Sequence, residues 1–353
     1  MNTPESYMKR CLELAVKGLG HTAPNPMVGC VIVHKGEIIG EGYHEEYGQA
    51  HAEVNAIHSV KDKSLLAEST LYVNLEPCAH YGKTPPCADL IVENKIPSVV
   101  IGSIDSNLKV SGKGVEKLMK AGIDVKVGLL EEQCRDLNKR FYIFHEKKRP
   151  YIILKWAQTA DGFIDVKRKE ESTSKPIQIS NSDSKKLLHL WRSQEQAIMI
   201  GTNTALLDNP QLTVREVKGK NPLRVTIDKW LRIPKHFHLY DKSAPTLIFT
   251  SSEGEAISNV EFKRIDFEKA VIPQVLHELY ERGISSVMVE GGEHLLNSFI
   301  DSGLWDSARV FISDKTIGKG VPAPVMTVKA SVKENISGDK LLFYQNTAHL
   351  SLK

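Results

Sequence analysis

The pattern of hydrophobic and polar positions along the chain predicts helices and strands in alternation. From Glu5 to about Leu19, apolar residues recur at helical spacing, and the segment ends near two glycines. The runs GCVIVH, TLYVNL and SVVIGSID are typical of strands, and HAEVNAIHSV and VEKLMKAG are typical of the helices between them. Such alternation indicates a mostly parallel sheet covered by helices. We therefore predict an α/β fold.

The charged run EKKRP, Glu146 to Pro150, is the candidate linker between two domains. After it the alternation restarts, with predicted strands such as YIILKWA, PLRVTID and SSVMVEGG and predicted helices such as KKLLHLWRS and EHLLNSFIDSG. At roughly 150 residues per domain, a chain of 353 residues corresponds to two domains. We place them at residues 1–147 and 150–353.

Composition and charge exclude several classes of protein. Hydrophobic residues make up 41% and charged residues 25% of the chain, which is typical of globular proteins and excludes disordered and collagen-like ones. The first 150 residues carry 19 basic and 19 acidic residues. This balance disfavours a protein held mainly by nucleic-acid phosphates, and we expect no nucleic-acid partner.

The cysteines and the first segment indicate the compartment. Five cysteines in a large chain predict a reducing environment and a metal site rather than a disulfide framework. The first twenty residues mix acidic and basic side chains and lack the apolar centre of a signal peptide. No stretch reaches the roughly 18 apolar residues of a membrane span. We predict a cytoplasmic protein without membrane contact.

One histidine and two cysteines form a candidate zinc site in the first half. His51 begins a His-Ala-Glu motif, Cys78 ends a Glu-Pro-Cys motif, and Cys87 follows Pro86 at a predicted helix start, which favours a thiolate. One imidazole and two thiolates leave the fourth zinc position open for water, as catalysis requires. Glu53 is then a proton carrier rather than a ligand. The alternative is a structural zinc site or unrelated buried cysteines.

The H-x-E…P-C pattern belongs to zinc deaminases that act on nucleobase-like rings. The stretch PCAHYGKTPPC, with TAPNPMVGCVIV upstream, HAEVNAI between, and SIDSN, SGKG and AGIDV downstream, resembles the bacterial riboflavin-biosynthesis bifunctional deaminase/reductase family. This resemblance covers nearly all of residues 1–150. It implies a cytidine-deaminase-like zinc domain whose substrate is a diaminopyrimidinone with a ribosylamino group and a 5′-phosphate.

The resemblance also implies polar residues of the deaminase pocket. Asn25 and Lys83 match substrate-contacting positions of the family, and we expect both to contact the substrate. His44, His80 and Asn107 match polar positions of the same pocket. For these three, substrate contacts and ordinary loop hydrogen bonds are left as alternatives.

Two features of the second half indicate phosphate binding. A predicted strand, the pair Gly291-Gly292 and a predicted helix follow one another, which is how backbone N–H groups cradle a phosphate, although such glycines also serve close packing. Arg192 and Arg215 are two guanidinium groups that could clamp a phosphate. The other glycine pair, Gly112 and Gly114 of the SGKG segment in the first half, lacks the third glycine of a dinucleotide fingerprint and is predicted to be a turn.

The second half resembles the reductase domain of the same family. The stretches KWAQTADG, WRSQEQAIMIGTNTALLDNPQLTVR, NPLRVTID and VEGGEHL carry this resemblance over about 150–315. It implies a dihydrofolate-reductase-like fold and an NADPH-dependent opening of the ribosyl unit to a ribityl chain. The implied substrate contacts are Lys155, Arg192, Leu212, Arg215 and Glu290, and the implied cofactor contacts are Ala157, Thr204, Asp208 and Gly292.

One segment departs from the family. Where the family usually has Ser-x-Trp-Ile-Thr/Ser, this chain has Pro-Ile-Gln-Ile-Ser, with Gln178 in place of the tryptophan. A stacking contact to the cofactor or substrate ring is therefore lost or supplied from elsewhere.

Three functions follow as hypotheses. The leading one is a bifunctional enzyme with zinc and NADPH as cofactors, a phosphorylated pyrimidine as substrate and a homo-oligomeric state. A zinc-dependent tRNA base deaminase with a non-catalytic second half is disfavoured by the neutral first half and by eight residues between the cysteines. A zinc-stabilised module that only binds a pyrimidine or nucleotide is disfavoured by Glu53 and by the open zinc position.

Overall fold

The computed structural model describes residues 3–81, 85–107, 111–168, 176–255 and 257–347. The chain divides into two structural units, Met1–Lys148 and Arg149–Lys353. The predicted linker is partly helical, because the last helix of the first unit ends at Lys147. The next residue, Lys148, caps this helix in a left-handed conformation with φ 55°. The first two residues of the charged run, Glu146 and Lys147, therefore belong to this helix.

The first unit is a five-stranded sheet with helices on both faces. Its strand order is β2-β1-β3-β4-β5, in which β1 pairs antiparallel with β2 and β3, whereas β3, β4 and β5 are parallel. Lys35 and Gly36 join β1 and β2 in a hairpin, so two of the four pairings are antiparallel, and the parallel arrangement expected from the alternation holds for β3, β4 and β5. The strands are β1 (Gly29–His34), β2 (Glu37–Tyr43), β3 (Thr70–Leu75), β4 (Ser98–Ser103) and β5 (Asp124–Val127).

Alternating side chains of β1 pack on opposite helical layers. Cys30 and Ile32 of β1 belong to a core with α2, α3 and α4, whereas Val31 and Val33 belong to a core with α1 and α5. Burial on both faces explains why β1 is almost continuously apolar. The helices are α1 (Pro4–Val16), α2 (Ala52–Ser59), α3 (Cys87–Glu93), α4 (Lys113–Lys120), α5 (Glu131–Leu137) and α6 (Lys139–Lys147).

The second unit is built on a nine-stranded, mostly parallel sheet, as predicted. Its order is β11-β10-β9-β8-β12-β6-β13-β16-β15, and only the last two pairings are antiparallel. The strands are β6 (Tyr151–Gln158), β8 (Ala197–Gly201), β9 (Leu223–Ile227), β10 (Thr246–Thr250), β11 (Val260–Arg264), β12 (Ser286–Val289), β13 (Ser307–Ile312), β15 (Val332–Ile336) and β16 (Asp339–Gln345), with β7 (Phe163–Asp165) and β14 (Val321–Pro322) as a separate pair.

Helices cover both faces of this sheet as well. Ala197 and Met199 of β8 lie in one core with α9 and α10, and Ile198 and Ile200 lie in another with α8. The longest described helices have 13 residues, and none of the described helices is long and apolar enough to cross a membrane. The helices are α7 (Ser182–Gln194), α8 (Thr202–Asp208), α9 (Val271–Glu281) and α10 (Glu293–Asp301).

A buried ion pair fixes the start of β6 to the segment before β13. The Arg149 guanidinium donates to both carboxylate oxygens of Asp306, at 2.6 and 2.8 Å, and the Ile152 N–H donates to Asp306 at 2.8 Å. Both charged side chains are less than 10% exposed. The pair therefore joins two neighbouring parallel strands of the sheet.

Replacing Asp306 by alanine should lower the free energy of unfolding of the second unit by about 3–5 kcal/mol, because Arg149 would stay buried without a counter-ion. All four tryptophans of the chain lie between residues 156 and 305, so tryptophan fluorescence during denaturant titration follows this unit. The control is Glu255→Ala, which removes the exposed partner of Lys235 and should leave the midpoint unchanged. Equal midpoints for wild type and Asp306→Ala would contradict the prediction.

Candidate active sites

The three predicted zinc ligands meet beside the sheet of the first unit. His51 immediately precedes α2, Cys87 is the first residue of α3, and Cys78 follows β3. Their donor atoms lie within 4.8 Å of one another. His51 Nδ1 is 3.6 Å from Cys78 Sγ and 3.3 Å from Cys87 Sγ. One nitrogen facing two sulfurs is a donor set that suits zinc.

The two thiols differ in how readily they ionise. Hydrogen bonds from the Cys87 thiol, from His51 and from the Cys87 backbone N–H lower the pKa of Cys78 to about 4. The backbone N–H of Cys87 lies 3.3 Å from Cys78 Sγ. The Cys87 thiol donates its proton to a hydrogen bond with Cys78 and is buried, and both effects raise the pKa of Cys87. A cation in this set would take the place of that shared proton.

Glu53 lies next to the donor set. It is in the first turn of α2, is 3% exposed, and hydrogen-bonds to the Cys87 side chain. Burial is the main cause that raises the pKa of Glu53 to about 7. His51 and Glu53 can face the same point because His51 is still outside the helix, with extended backbone. A buried carboxyl in this position can accept and release a proton.

Asn25 joins this site through a buried histidine. His44 Nδ1 is 3.0 Å from the carbonyl oxygen of Ala50, and His44 Nε2 is 3.2 Å from Asn25 Nδ2. A carbonyl only accepts and an amide nitrogen only donates, so His44 is neutral with its proton on Nδ1. Burial lowers the pKa of His44, which favours the same state. The His44 ring meets the His51 ring edge-on, with centroids 5.5 Å apart.

The other predicted pocket residues of the first unit are more exposed. His80, two residues after Cys78, is exposed. Asn107 is half-buried in the loop after β4, where its backbone N–H donates to the Asp105 carboxylate at 2.7 Å. Lys83 lies outside the described residues.

A cavity of about 980 Å³ lies at the carboxyl ends of β6, β8, β9 and β12 in the second unit. This is where ligands bind in open α/β sheets, because loops and helix N-termini converge there. Arg192, Leu212 and Arg215 do not line it. The predicted residues that do line it are Lys155, Ala157, Thr204, Asp208, Glu290 and Gly292.

Two predicted cofactor residues contact each other at the start of α10. The Gly292 N–H donates to Thr204 Oγ1 at 2.8 Å, and a Cβ atom at Gly292 would lie 3.1 Å from the same oxygen. The strand, glycine and helix order predicted from the sequence is therefore present, with a close approach that favours glycine.

Asp208, another predicted cofactor residue, already forms an ion pair with Arg168. The Arg168 guanidinium contacts the carboxylates of Asp208 and Asp165, and its Nη1 donates to the Leu207 carbonyl at 2.9 Å. Arg168 lines the cavity and was not singled out by sequence reasoning, because only the fold brings it to α8.

Two of the predicted substrate residues, Lys155 and Glu290, form a charged part of the cavity wall. Arg192 donates to both carboxylate oxygens of Glu290, at 2.9 and 2.7 Å, and to the Thr213 carbonyl at 3.3 Å. Both side chains are no more than 10% exposed. Lys155 lies in the same wall, and burial lowers its pKa. Arg192 therefore orients Glu290 rather than presenting an unpaired cation to the cavity.

Arg215 and Leu212 occupy different surroundings. Arg215 is exposed; its backbone N–H donates to His189 Nδ1 and its Nη1 donates to the Thr213 hydroxyl, both at 3.0 Å. Leu212 is 2% exposed and packs in a hydrophobic core. Because its side chain is buried in this core, a Leu212 contact with substrate would have to come from its backbone.

Aromatic and basic residues at the cavity were partly missed from the sequence. Gln178 lines the cavity where the family has tryptophan, and Trp156 of β6 also lines it, donating to Gln158 at 2.8 Å. Lys229 and Phe267 line another part of the cavity. Lys229 Nζ lies 4.8 Å from the ring centre of Trp230 and 5.4 Å from that of Phe267. The sequence feature that could have indicated these residues is the Lys229-Trp230 pair directly after a predicted strand.

Comparisons with known proteins match both halves of the chain to known families. Residues 1–103 match the cytidine and deoxycytidylate deaminase zinc-binding region, and residues 150–337 match the RibD C-terminal domain. A riboflavin biosynthesis protein RibD of Aquifex aeolicus is 39% identical, over 97% of this chain and 98% of its own length.

Two solved structures are similar over the same extent. The diaminohydroxyphosphoribosylaminopyrimidine deaminase/5-amino-6-(5-phosphoribosylamino)uracil reductase of Thermotoga maritima is 40% identical, with a TM-score of 0.85, over 97% of this chain and 98% of that one. The RibD of Acinetobacter baumannii is 30% identical, with a TM-score of 0.86 and the same coverage.

These matches confirm the predicted fold class and disfavour a tRNA base deaminase with a non-catalytic second half. The second half matches a reductase family in its own right. The chain belongs to the RibD family of bifunctional riboflavin-biosynthesis enzymes, with a zinc-binding deaminase domain followed by a reductase domain.

Proposed function

We propose that the first unit hydrolyses an amino group from 2,5-diamino-6-(5-phosphoribosylamino)pyrimidin-4(3H)-one, and that the second reduces the ribosyl group of the product to a ribityl chain with NADPH. The observation that carries the first step is the Glu53 carboxyl beside one imidazole and two thiols. Support for the substrate comes from the Thermotoga maritima enzyme, whose name states this deamination and the reduction that follows.

His51, Cys78 and Cys87 would hold the zinc ion, since their donor atoms already converge. When bound, zinc would act as a Lewis acid that makes water nucleophilic at neutral pH. Glu53 takes a proton from the attacking water and delivers it to the departing amino group, which leaves as ammonia. Asn25, fixed by neutral His44, and Lys83 bind the substrate.

In the second unit, Lys155 and Glu290 face the substrate, and Arg192 fixes Glu290 through a two-point ion pair. Because Arg192 is committed to Glu290, we assign the substrate phosphate to Arg215, whose guanidinium is exposed. The Leu212 backbone lies between these two arginines in the chain and completes the contact.

NADPH fits the cavity of the second unit in size and chemistry. The volume of this cavity, about 980 Å³, is at the upper end of the range of volumes found for ligand pockets. When bound, NADPH would supply the hydride. Gly292 and Thr204 offer a glycine-lined helix start for a phosphate, and Ala157 and Asp208 line the same cavity. Lys229 adds a cation beside two aromatic rings, which suits a phosphorylated nucleotide.

The Glu53→Gln variant tests the deaminase role. We expect ammonia release to fall by at least about 100-fold, because an amide cannot carry the proton. Zinc content should stay near one ion per chain. NADPH oxidation should stay at the wild-type rate when the deaminated pyrimidine is supplied, which makes the second unit an internal control. A variant that released ammonia at the wild-type rate would contradict the role of Glu53.

The Lys229→Met variant tests the cofactor assignment. It removes the charge while keeping an unbranched side chain, so the kcat/KM preference for NADPH over NADH should fall about tenfold, the worth of one charged hydrogen bond. Both cofactors are assayed with the deaminated pyrimidine as substrate. Lys242→Met, at an exposed lysine nearby in the sequence, is the matched control. An unchanged preference in Lys229→Met would argue against phosphate recognition by Lys229.

A further inference from the structure

A buried carboxylate two residues before Cys78 collects four backbone N–H groups. Glu76 is 4% exposed. Its Oε2 accepts from Asp105 at 3.2 Å and from Gly112 at 3.0 Å. Its Oε1 accepts from Gly114 at 2.8 Å and from Val115 at 3.3 Å. Glu76 therefore connects the segment before Cys78 to the loop after β4 and to the start of α4.

Part of this arrangement completes the start of α4. Gly112 is the N-cap of α4 and has no side chain to cap the free N–H groups of the first turn. Glu76, which directly follows β3, supplies the missing acceptor. The four N–H groups and the positive end of the helix dipole offset the cost of burying its charge. The Glu76 side chain is thus held by four backbone N–H groups of the deaminase unit itself.

The glycines of the SGKG segment make this contact possible. The sequence predicted a turn there, and Gly112 does adopt a left-handed backbone with φ 76°. Gly114, in contrast, is needed for close approach. A Cβ atom at Gly114 would lie 2.0 Å from the Pro77 carbonyl oxygen, so α4 begins directly against the peptide that precedes Cys78.

The same carboxylate also fixes the loop after β4. The Glu76 backbone N–H donates to the Ser103 carbonyl at 2.9 Å, which extends the pairing of β3 with β4. The Asp105 N–H then donates to the Glu76 side chain, and the Asp105 carboxylate accepts the N–H of Asn107. Cys78 and Asn107 are therefore both attached, within a few bonds, to Glu76.

We propose that Glu76 is a positioning residue of the deaminase. Its carboxylate sets residues 105–107 relative to Cys78, and so sets how the pyrimidine ring is held beside the metal-binding residues. Glu76 acts through the loop and contacts neither substrate nor metal itself. The inference rests on the proposed deaminase function.

The Glu76→Gln variant is the test, in the full-length, zinc-loaded enzyme. Glutamine has one acceptor oxygen and one donor nitrogen, so it can keep only part of the four N–H bonds and sets its own N–H₂ against the rest. We expect KM for the pyrimidine phosphate to rise about tenfold or more. The kcat value should change much less, because the metal ligands are also fixed by α2 and α3.

Two measurements separate positioning from general damage. Zinc content should stay near one ion per chain, and the thiolate-to-cobalt absorption of the Co²⁺-substituted enzyme should be unchanged. Glu116→Gln is the matched control, because Glu116 lies in the first turn of the same helix but is exposed and pairs with Lys120. Its KM should equal that of wild type. Reduction of the deaminated pyrimidine should be unaffected in both variants.

Glu76→Asp guards against simple unfolding. It keeps the charge but is one methylene shorter, so it should retain zinc and show a KM between those of wild type and Glu76→Gln. A wild-type KM in Glu76→Gln, or zinc loss in both Glu76 variants, would overturn the proposal. Wild-type deamination is measured first, so a failure of the proposed function is recognised separately.

Discussion

The deaminase unit depends on the convergence of one imidazole nitrogen and two sulfur atoms from three separate elements. His51 precedes α2, Cys87 opens α3, and Cys78 follows β3, so the three meet only if strand and helices have the observed order. The start of α3 directs the Cys87 backbone N–H at Cys78 Sγ, which helps the Cys78 thiol to ionise. Burial in the same place is the main cause that raises the pKa of Glu53.

In the second unit, several charged side chains at or near the cavity are paired with one another. Arg192 is matched by Glu290, and Arg168 is matched by Asp208 and Asp165. These pairs fix carboxylates at or near the cavity wall before any ligand arrives, which lowers the cost of orienting them. Lys229 stands beside aromatic rings at the same cavity.

Local patterns in the sequence were enough to predict the α/β fold and the convergence of the zinc ligands, because strand periodicity and motif spacing are written in short stretches. Long-range contacts were not accessible in this way. Glu76 was visible as part of Glu-Pro-Cys, but its four N–H donors come from residues 105 to 115. The burial of Leu212 and the pairing of Arg168 with Asp208 likewise depend on the folded chain.

Zinc K-edge X-ray absorption of the purified full-length protein measures the coordination on which the deaminase depends. We expect about one zinc ion per chain with two sulfur neighbours, one imidazole nitrogen and one further light atom from solvent. A shell of four protein ligands, or zinc without sulfur neighbours, would contradict a catalytic site formed by His51, Cys78 and Cys87.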